Sequence, residues 1–247
     1  MLKEERQSFI IKQINLHNKV LSADLSVKLD VSEDTIRRDL NELAKDAKIK
    51  KVYGGAVSKS FLHTFTQNTI YAKEAKIQIA KKALTLIKEG MFVLLGGGTT
   101  IIELTRLVPK NLHCTFITIS PLVALELIEY TGAEVILLGG RLLSDSLINT
   151  GSMVINQLSE INVDLCFLGA NAISLDNGIT DSDLEVVQVK KAMIKSAYKS
   201  VVLSISGKLD STEKMAVCPL SAINYLITEL EPNDASLAQY INAVALL

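Results

Sequence analysis

The sequence predicts a winged helix-turn-helix over residues 1–57 and an α/β domain with a parallel-rich sheet over residues 73–247, joined by a linker at 58–72. Three observations lead there. A capped helix start, Ser32-Glu33-Asp34-Thr35, continues with Arg37 and Arg38 turned one way and Ile36, Leu40 and Leu43 turned the other. A basic and apolar alternation from Lys48 to Tyr53 then runs into Gly54-Gly55, as a wing with a tight turn does. Beyond Met91, short apolar runs alternate with helical stripes, the pattern of strands laid parallel and covered by helices.

The head is justified element by element. Phe9, Ile10, Ile11, Ile14 and Leu16 form a helical stripe that stops at His17-Asn18, where Asn suits a left-handed turn. Ser22 is placed to cap a short second helix through Leu25 and Leu29, and Asp30-Val31 makes the turn. Ser32 starts the third helix, which runs to about Ala44 with Glu33 and Asp34 complementing its dipole. Thr35, Arg37 and Arg38 project from its early turns, and a two-stranded wing follows with Lys50 and Lys51 outward.

In the body, a stripe from Ala75 through Ile79, Ala80, Ala83, Leu84 and Ile87 predicts a helix ending at Gly90. Strands are predicted at Met91 to Leu95, Thr115 to Ile119, Glu134 to Leu138, Leu165 to Leu168, Val201 to Ile205 and Tyr225 to Thr228. Helices are predicted at Thr99 to Val108, Leu122 to Glu129, Val154 to Leu158 and Asp183 to Ala197, with another at the C-terminus.

Composition narrows the chemistry. Of 247 residues 48% are hydrophobic, enough for a sizeable core, yet the apolar runs at Met91–Leu95 and Val135–Leu138 are far too short to span a bilayer. Lys3, Glu4, Glu5 and Arg6 occupy the place of a signal-peptide apolar stretch, so a cytoplasmic protein with no membrane partner is expected. Cys114, Cys166 and Cys218 are odd in number and widely spaced, and His17, His63 and His113 have no ligands at metal spacing, so neither disulfides nor a metal or other cofactor is expected. Residues 1–60 carry 12 Lys/Arg against 9 Asp/Glu and the rest 14 against 18, a basic head on an acidic body. That division suits a protein that sets one end on a polyanion.

Gly96-Gly97-Gly98-Thr99-Thr100 lies where a strand ends and a helix begins, so bare N–H groups, two hydroxyls and a helix N-terminus can together hold a phosphate. It is neither a Walker A loop nor a G-x-G-x-x-G fingerprint. Further candidates fall at corresponding strand ends, where open α/β sheets bind ligands. They are Thr118 and Ser120, Gly139-Gly140-Arg141, Asn171 and Lys208, with Lys190 on the long helix.

Two sets of residues give the chain a family resemblance. Val31-Ser32, Thr35-Ile36-Arg37-Arg38-Asp39-Leu40 and Gly54-Gly55-Ala56 resemble the N-terminal signature of DeoR-type bacterial transcriptional regulators. Gly98-Thr99-Thr100, Gly139-Gly140, Gly151, Asp164, Phe167-Leu168-Gly169, Gly178 and Lys208 resemble, in order, the sensor domain of the same family. The resemblance implies a body related to ribose-phosphate isomerases and CoA transferases, a phosphorylated-sugar effector, double-stranded operator DNA as partner, and repression. The chain departs from the pattern at Ala47 for Gly, Lys51 for Arg, Gly96 for Asp, Ile119 for Asn and Ile205 for Asp.

These features weigh three functions. The first is a regulator in which Ser32, Thr35, Arg37, Arg38, Lys50 and Lys51 meet DNA, working as a homodimer or higher homo-oligomer on a two-fold operator. The second is a sugar-phosphate isomerase or CoA-transferase relative with an accessory head. It needs a carboxylate base, for which only Glu103, Asp145 and Asp181 are candidates, and no catalytic residue is assigned. The third is a regulator governed by assembly alone.

Overall fold

The computed structural model describes residues 1–17, 19–58 and 70–247, so Asn18 and the linker residues 59–69 lie outside the described residues. The chain divides into two compact units, Met1–Tyr71 and Ala72–Leu247.

The first unit runs α1 (Lys3–His17), β1 (Lys19–Leu21), α2 (Ser22–Leu29), α3 (Glu33–Lys45), β2 (Lys50–Val52) and β3 (Gly55–Val57). Its core joins Ile10 and Ile14 of α1, Leu25 and Leu29 of α2, and Ile36, Leu40 and Leu43 of α3, with Ile49 and Ala56 from the wing. Burying each such side chain stabilises the fold by roughly 1.5–3 kcal/mol. Asp30 ends α2 in the left-handed conformation, φ 50°, as the Asp30-Val31 turn requires.

Two details differ from expectation. The wing is three-stranded, in the order β1-β3-β2, because the backbone of Lys19–Leu21 pairs antiparallel with Val57–Gly55. Ser22 is the first residue of α2, after an N-cap at Leu21 that has no side-chain oxygen to offer.

The second unit begins with α4 (Lys73–Leu84), β4 (Phe92–Leu95), α5 (Thr99–Leu107), β5 (Thr115–Thr118), α6 (Pro121–Tyr130) and β6 (Glu134–Leu137). A hairpin of β7 (Arg141–Leu142) and β8 (Asn149–Thr150) leads to α7 (Ser152–Ser159), β9 (Val163–Gly169), β10 (Ala172–Ser174) and β11 (Gly178–Asp181). After these come α8 (Leu184–Lys195), β12 (Ala197–Leu203), β13 (Met215–Cys218), β14 (Tyr225–Ile227) and β15 (Ala245–Leu246).

The main sheet has seven strands in the order β15-β14-β12-β9-β4-β5-β6, every neighbouring pair parallel. The chain builds outward from β4 through β5 to β6, then returns to β9 on the other side of β4. The carboxyl ends of β4 and β9 therefore flank a topological switch point, where open α/β sheets form their ligand crevice. A small antiparallel sheet, β10-β11-β13, stands beside it.

Several body elements shift from the predicted bounds. The first helix stops at Leu84, six residues before Gly90. β12 starts at Ala197 because Ala197–Leu203 pairs along Val163–Gly169, taking residues from the end of the expected helix. The C-terminal segment Ala235–Tyr240 is a 3-10 helix and not an α-helix, burying Leu237 and Tyr240 three residues apart, and Ala245–Leu246 adds a last edge strand.

Candidate functional site

The exposed side of the head is organised by α3. Ser32 caps it, its Oγ accepting from the Thr35 N–H at 3.3 Å and lying 3.0 Å from Thr35 Oγ1. Arg37 and Arg38 are exposed, Arg37 reaching Asp34 at 3.2 Å and Glu33 at 3.4 Å within its own helix. Such exposed pairs are weak and give way readily to a phosphate. On the wing, Lys50 and Lys51 are exposed, and Lys51 Nζ donates to Asn41 Oδ1 at 2.6 Å, tying the wing to α3.

Two contributors here escaped the sequence reading. Asn41 follows Arg37 by four residues and so shares its face. Asp39, only 2% exposed, accepts hydrogen bonds from Arg6 and from Gln7 at 3.2 Å, locking α3 to α1. The spacing that marked Ile36, Leu40 and Leu43 as inward already placed Asp39 beside them.

In the body, Gly96 donates its N–H to Phe167 O at 2.9 Å, holding the start of the glycine loop against β9. Gly97 faces the hairpin: a Cβ there would stand 2.3 Å from Ile148 Cγ2. Gly98 adopts φ 115° as the N-cap of α5 and supplies no side-chain cap, so the first turn at Thr99 and Thr100 offers its N–H groups to a ligand.

Past the end of β9, four groups from different elements come together. Lys190 of α8 pairs with Asp181 of β11 at 2.7 Å, and Asn171 Nδ2 reaches Asp181 at 3.5 Å and Ser182 Oγ at 3.4 Å. Lys208 Nζ donates to Ala170 O at 2.9 Å, one residue beyond Gly169, where an added Cβ would come within 3.8 Å of Gly97 O. The Lys208 ammonium thus lies beside the end of β9, whose Gly169 neighbours Gly97 of the glycine loop.

Charge is concentrated there at a cost. Burial pushes the Lys208 ammonium down to about 7, with Lys76 and Lys190 adding to the fall and Asp181 opposing it. Burial also pushes Lys76, on α4, down to about 8, opposed by Glu103. For Asp181 burial favours the neutral acid, but Lys190, the Ser182 N–H and Lys208 outweigh it and hold the carboxyl below its usual range. Titratable groups perturbed by burial together with a specific charge partner cluster at functional sites.

The other predicted positions are placed differently. Thr118 is fully buried, its Oγ1 donating to Leu95 O at 2.9 Å and accepting from the Ser120 N–H at 3.1 Å. Ser120 donates to Leu147 O at 3.2 Å, fastening the hairpin over the loop. Gly139 bonds Gln157, Gly140 packs on Val154 and the Thr150 carbonyl, and exposed Arg141 faces Glu185 at 3.6 Å. Ile119 and Ile205 are core residues, 1% and 5% exposed.

Of the candidate bases, Glu103 pairs with Arg106 at 3.1 Å and Asp181 with Lys190, while Asp145 accepts from Ser144 at 3.1 Å. No cluster of three or more His, Cys, Asp or Glu suited to a metal occurs among the described residues, and no described helix is long and apolar enough to cross a membrane.

Two family models match the chain. Residues 6–61 match the DeoR-like helix-turn-helix domain and residues 71–230 the DeoR C terminal sensor domain. The chain is 32% identical to the HTH-type transcriptional regulator GolR of Listeria innocua, covering 98% of this chain and 97% of that one. It is 34% identical to the HTH-type transcriptional repressor GlcR of Bacillus subtilis, over 95% and 92%. It is 29% identical to the glycerol-3-phosphate regulon repressor of Haemophilus influenzae, over 92% and 90%. Among solved structures, ribose 5-phosphate isomerase A of Methanocaldococcus jannaschii aligns at TM-score 0.41 and 24% identity, over 56% of this chain and 55% of that one. A helix-turn-helix head and a sensor body, each matched over its own stretch, together show that the chain belongs to the DeoR family of transcriptional regulators.

Proposed function

We propose that the protein is a cytoplasmic repressor that binds a two-fold operator as a homo-oligomer and is governed by a phosphorylated sugar held at the β4–β9 switch point. The observation that carries the effector reading is the cluster of Lys208, Lys190 and Asn171 just past the end of β9, the strand against which the uncapped Gly96–Thr100 loop is held. The loop and the two lysines match a phosphate, while Asn171, Asp181 and Thr100 offer polar groups to sugar hydroxyls. The names of two relatives, a glycerol-3-phosphate regulon repressor and a transcriptional repressor, support repression.

In the head, Arg37, Arg38 and Thr35 read base edges and phosphates while Lys50, Lys51 and the Ser32 end of α3 hold the backbone. Turnover is disfavoured because Glu103 and Asp181 are both engaged in ion pairs and serve as charge partners.

The test takes the duplex that the full chain selects from a random library. Replacing Arg37 and Arg38 by Ala is expected to abolish selective binding, each base-reading Arg being worth ~1–3 kcal/mol. Adding aldose and ketose phosphates is expected to weaken binding of the wild-type chain and to raise its melting temperature, by ~2.7 kcal/mol of stability at 100 times the dissociation constant. Undiminished selectivity in the double variant overturns the head assignment, and a flat response to every sugar phosphate overturns the effector.

A further inference from the structure

We propose that the β6 edge of the main sheet, together with the outer side of α6, is the face by which two copies of this chain join, strand to strand and helix to helix. The inference rests on the reading of the protein as a homo-oligomer and goes beyond it in naming the residues that meet.

β6 is the last strand of the seven, and β5 is its neighbour on the inner side. The Leu138 N–H donates to Thr118 O at 2.9 Å, so Ile136 and Leu138 turn their backbone groups to β5, while Val135 and Leu137 turn theirs outward. Edge strands are commonly blunted by Lys, Pro, a bulge or brevity. The opposite edge, β15, is two residues long, whereas β6 runs over four and holds neither Lys nor Pro. Its one charged side chain, Glu134, leans inward to accept from Thr115 Oγ1 at 3.1 Å.

Apolar side chains line this edge on both faces. Ile136 continues the row of Leu94 and Ile117, which share a core with Val187 and Val189 of α8. Right-handed crossovers put α5 and α6 on the face opposite α8, and it is to that face that Leu137 turns. Ile136 and Leu137 are 40% and 43% exposed. Helix α6 widens the strip. Its Val123, Ala124 and Leu127 are buried, and its Glu126 is drawn to Arg106 of α5 at 2.7 Å. Ile128, two residues and about 200° further round, faces away from α5 toward the sheet edge, and Leu125 lies one turn before it. These two are 65% and 54% exposed. A contiguous apolar strip of this kind marks an interaction face.

The occupant is a second copy because the edge complements itself. About a two-fold axis through Ile136 and perpendicular to the sheet, Val135 of each copy stands opposite Leu137 of the other, and their outward N–H and C=O groups exchange hydrogen bonds in both directions. Ile136 meets its own counterpart, and Glu134 falls opposite Leu138 and not opposite another carboxylate. Strands lie about 4.8 Å apart and α6 crosses over from β5 to β6, so the joined sheet sets the two α6 helices two spacings apart, about 10 Å. That is a distance at which helices pack. The two helices run antiparallel, which brings the last turn of each, with Glu129 and no basic residue, beside the first turn of the other, which has no side-chain cap. A strand pair alone falls short of the ~800 Å² per partner that a stable interface takes, and the helix pair extends it.

The experiment uses the full chain, with molar mass followed by sedimentation equilibrium across a range of concentrations. Ile128→Lys combined with Ile136→Lys is expected to halve the mass of the wild-type assembly, dimer to monomer or tetramer to dimer, with the far-UV circular dichroism unchanged. A second variant reads the register. Ile136→Cys puts the two thiols in a cross-strand pair about 4.5 Å apart at Cα, within the range a disulfide bridges, so mild oxidation is expected to yield a covalent dimer. Glu134→Cys, whose copies stand well apart across the axis, is expected to stay uncross-linked, as the wild type does.

Wild-type mass in the double lysine variant overturns the proposal, as does cross-linking of Glu134→Cys in preference to Ile136→Cys. Should the lysines disturb the fold, the cross-link decides. A wild-type chain that is monomeric at every concentration overturns the homo-oligomer reading itself, whereas an assembled wild type with no cross-link through Ile136→Cys overturns only the β6 and α6 face.

Discussion

At position 47 the family pattern has Gly and this chain has Ala, and the structure gives the reason for the preference. Ala47 holds φ 56°, in the left-handed region. Ala47→Gly is therefore expected to stabilise the protein by about 0.5–1 kcal/mol, relief of strain outweighing the added freedom of the unfolded chain. Urea unfolding followed in the head reads this directly. Lys208 makes the second prediction at this scale. Its folded pKa of about 7 lies well below the unfolded lysine value, so between pH 7 and about 10 the unfolded chain binds more protons and stability rises with pH. Lys208→Met should remove that part of the slope in thermal melts taken across this range. Lysines also show what a sequence conceals: Lys73, Lys76, Lys81 and Lys82 look alike as a basic helix, and only Lys76 precedes Ile79, Ala80 and Ala83 by three, four and seven residues. That spacing puts it on the buried stripe, the one signal by which it could have been found.

Among the elements, α3 owes its orientation to a clamp as well as to its apolar face. Arg6 and Gln7 of α1 converge on Asp39, while Lys3 and Gln7 hold Glu42 at 2.8 Å. Asp39→Ala leaves the largely covered Arg6 without its carboxylate, and is expected to cost about 3 kcal/mol and to weaken operator binding although Asp39 is buried away from solvent. Circular-dichroism melts and titration of the selected duplex measure the two effects. The elements legible in the sequence were those whose pattern is intrinsic: β4, β5 and β9 as apolar runs, α3 from its cap and spacing, and α8 from Asp183, which accepts from the N–H groups of Glu185 and Val186. Strands of two or three residues such as β1, β7, β8, β10 and β15 exist because a partner strand is present, and no short window records that. A C-terminal helix was expected after the last strand, but a six-residue segment with inward residues every third position closes as a 3-10 turn.

For the whole molecule, the strand order decides where a ligand crevice can form. Candidate residues scattered from Gly96 to Lys208 in sequence are drawn to one edge because all seven main strands run the same way and the order reverses between β4 and β9. The glycine loop, Asn171, Lys190 and Lys208 could be named from the sequence because each follows or faces a strand end. Asp181 was seen only as a possible base, and its work as counter-ion to Lys190 emerged from the small antiparallel sheet that the sequence did not reveal.

The same strand order governs the time at which the molecule becomes whole. As the body is synthesised, α4 through β6 emerge first, and one edge of β4, with Val93, Leu94 and Leu95 all fully buried in the finished fold, has no neighbour until residues 163–169 arrive. About seventy residues, hairpin and α7 included, must be made before that edge is covered. An apolar strand left open is a pairing hazard. The nascent body is therefore most open to wrong partners along the line where we propose that its finished form takes its ligand, and substitutions that slow β9 in reaching β4 should show as poor yield before they show as altered regulation.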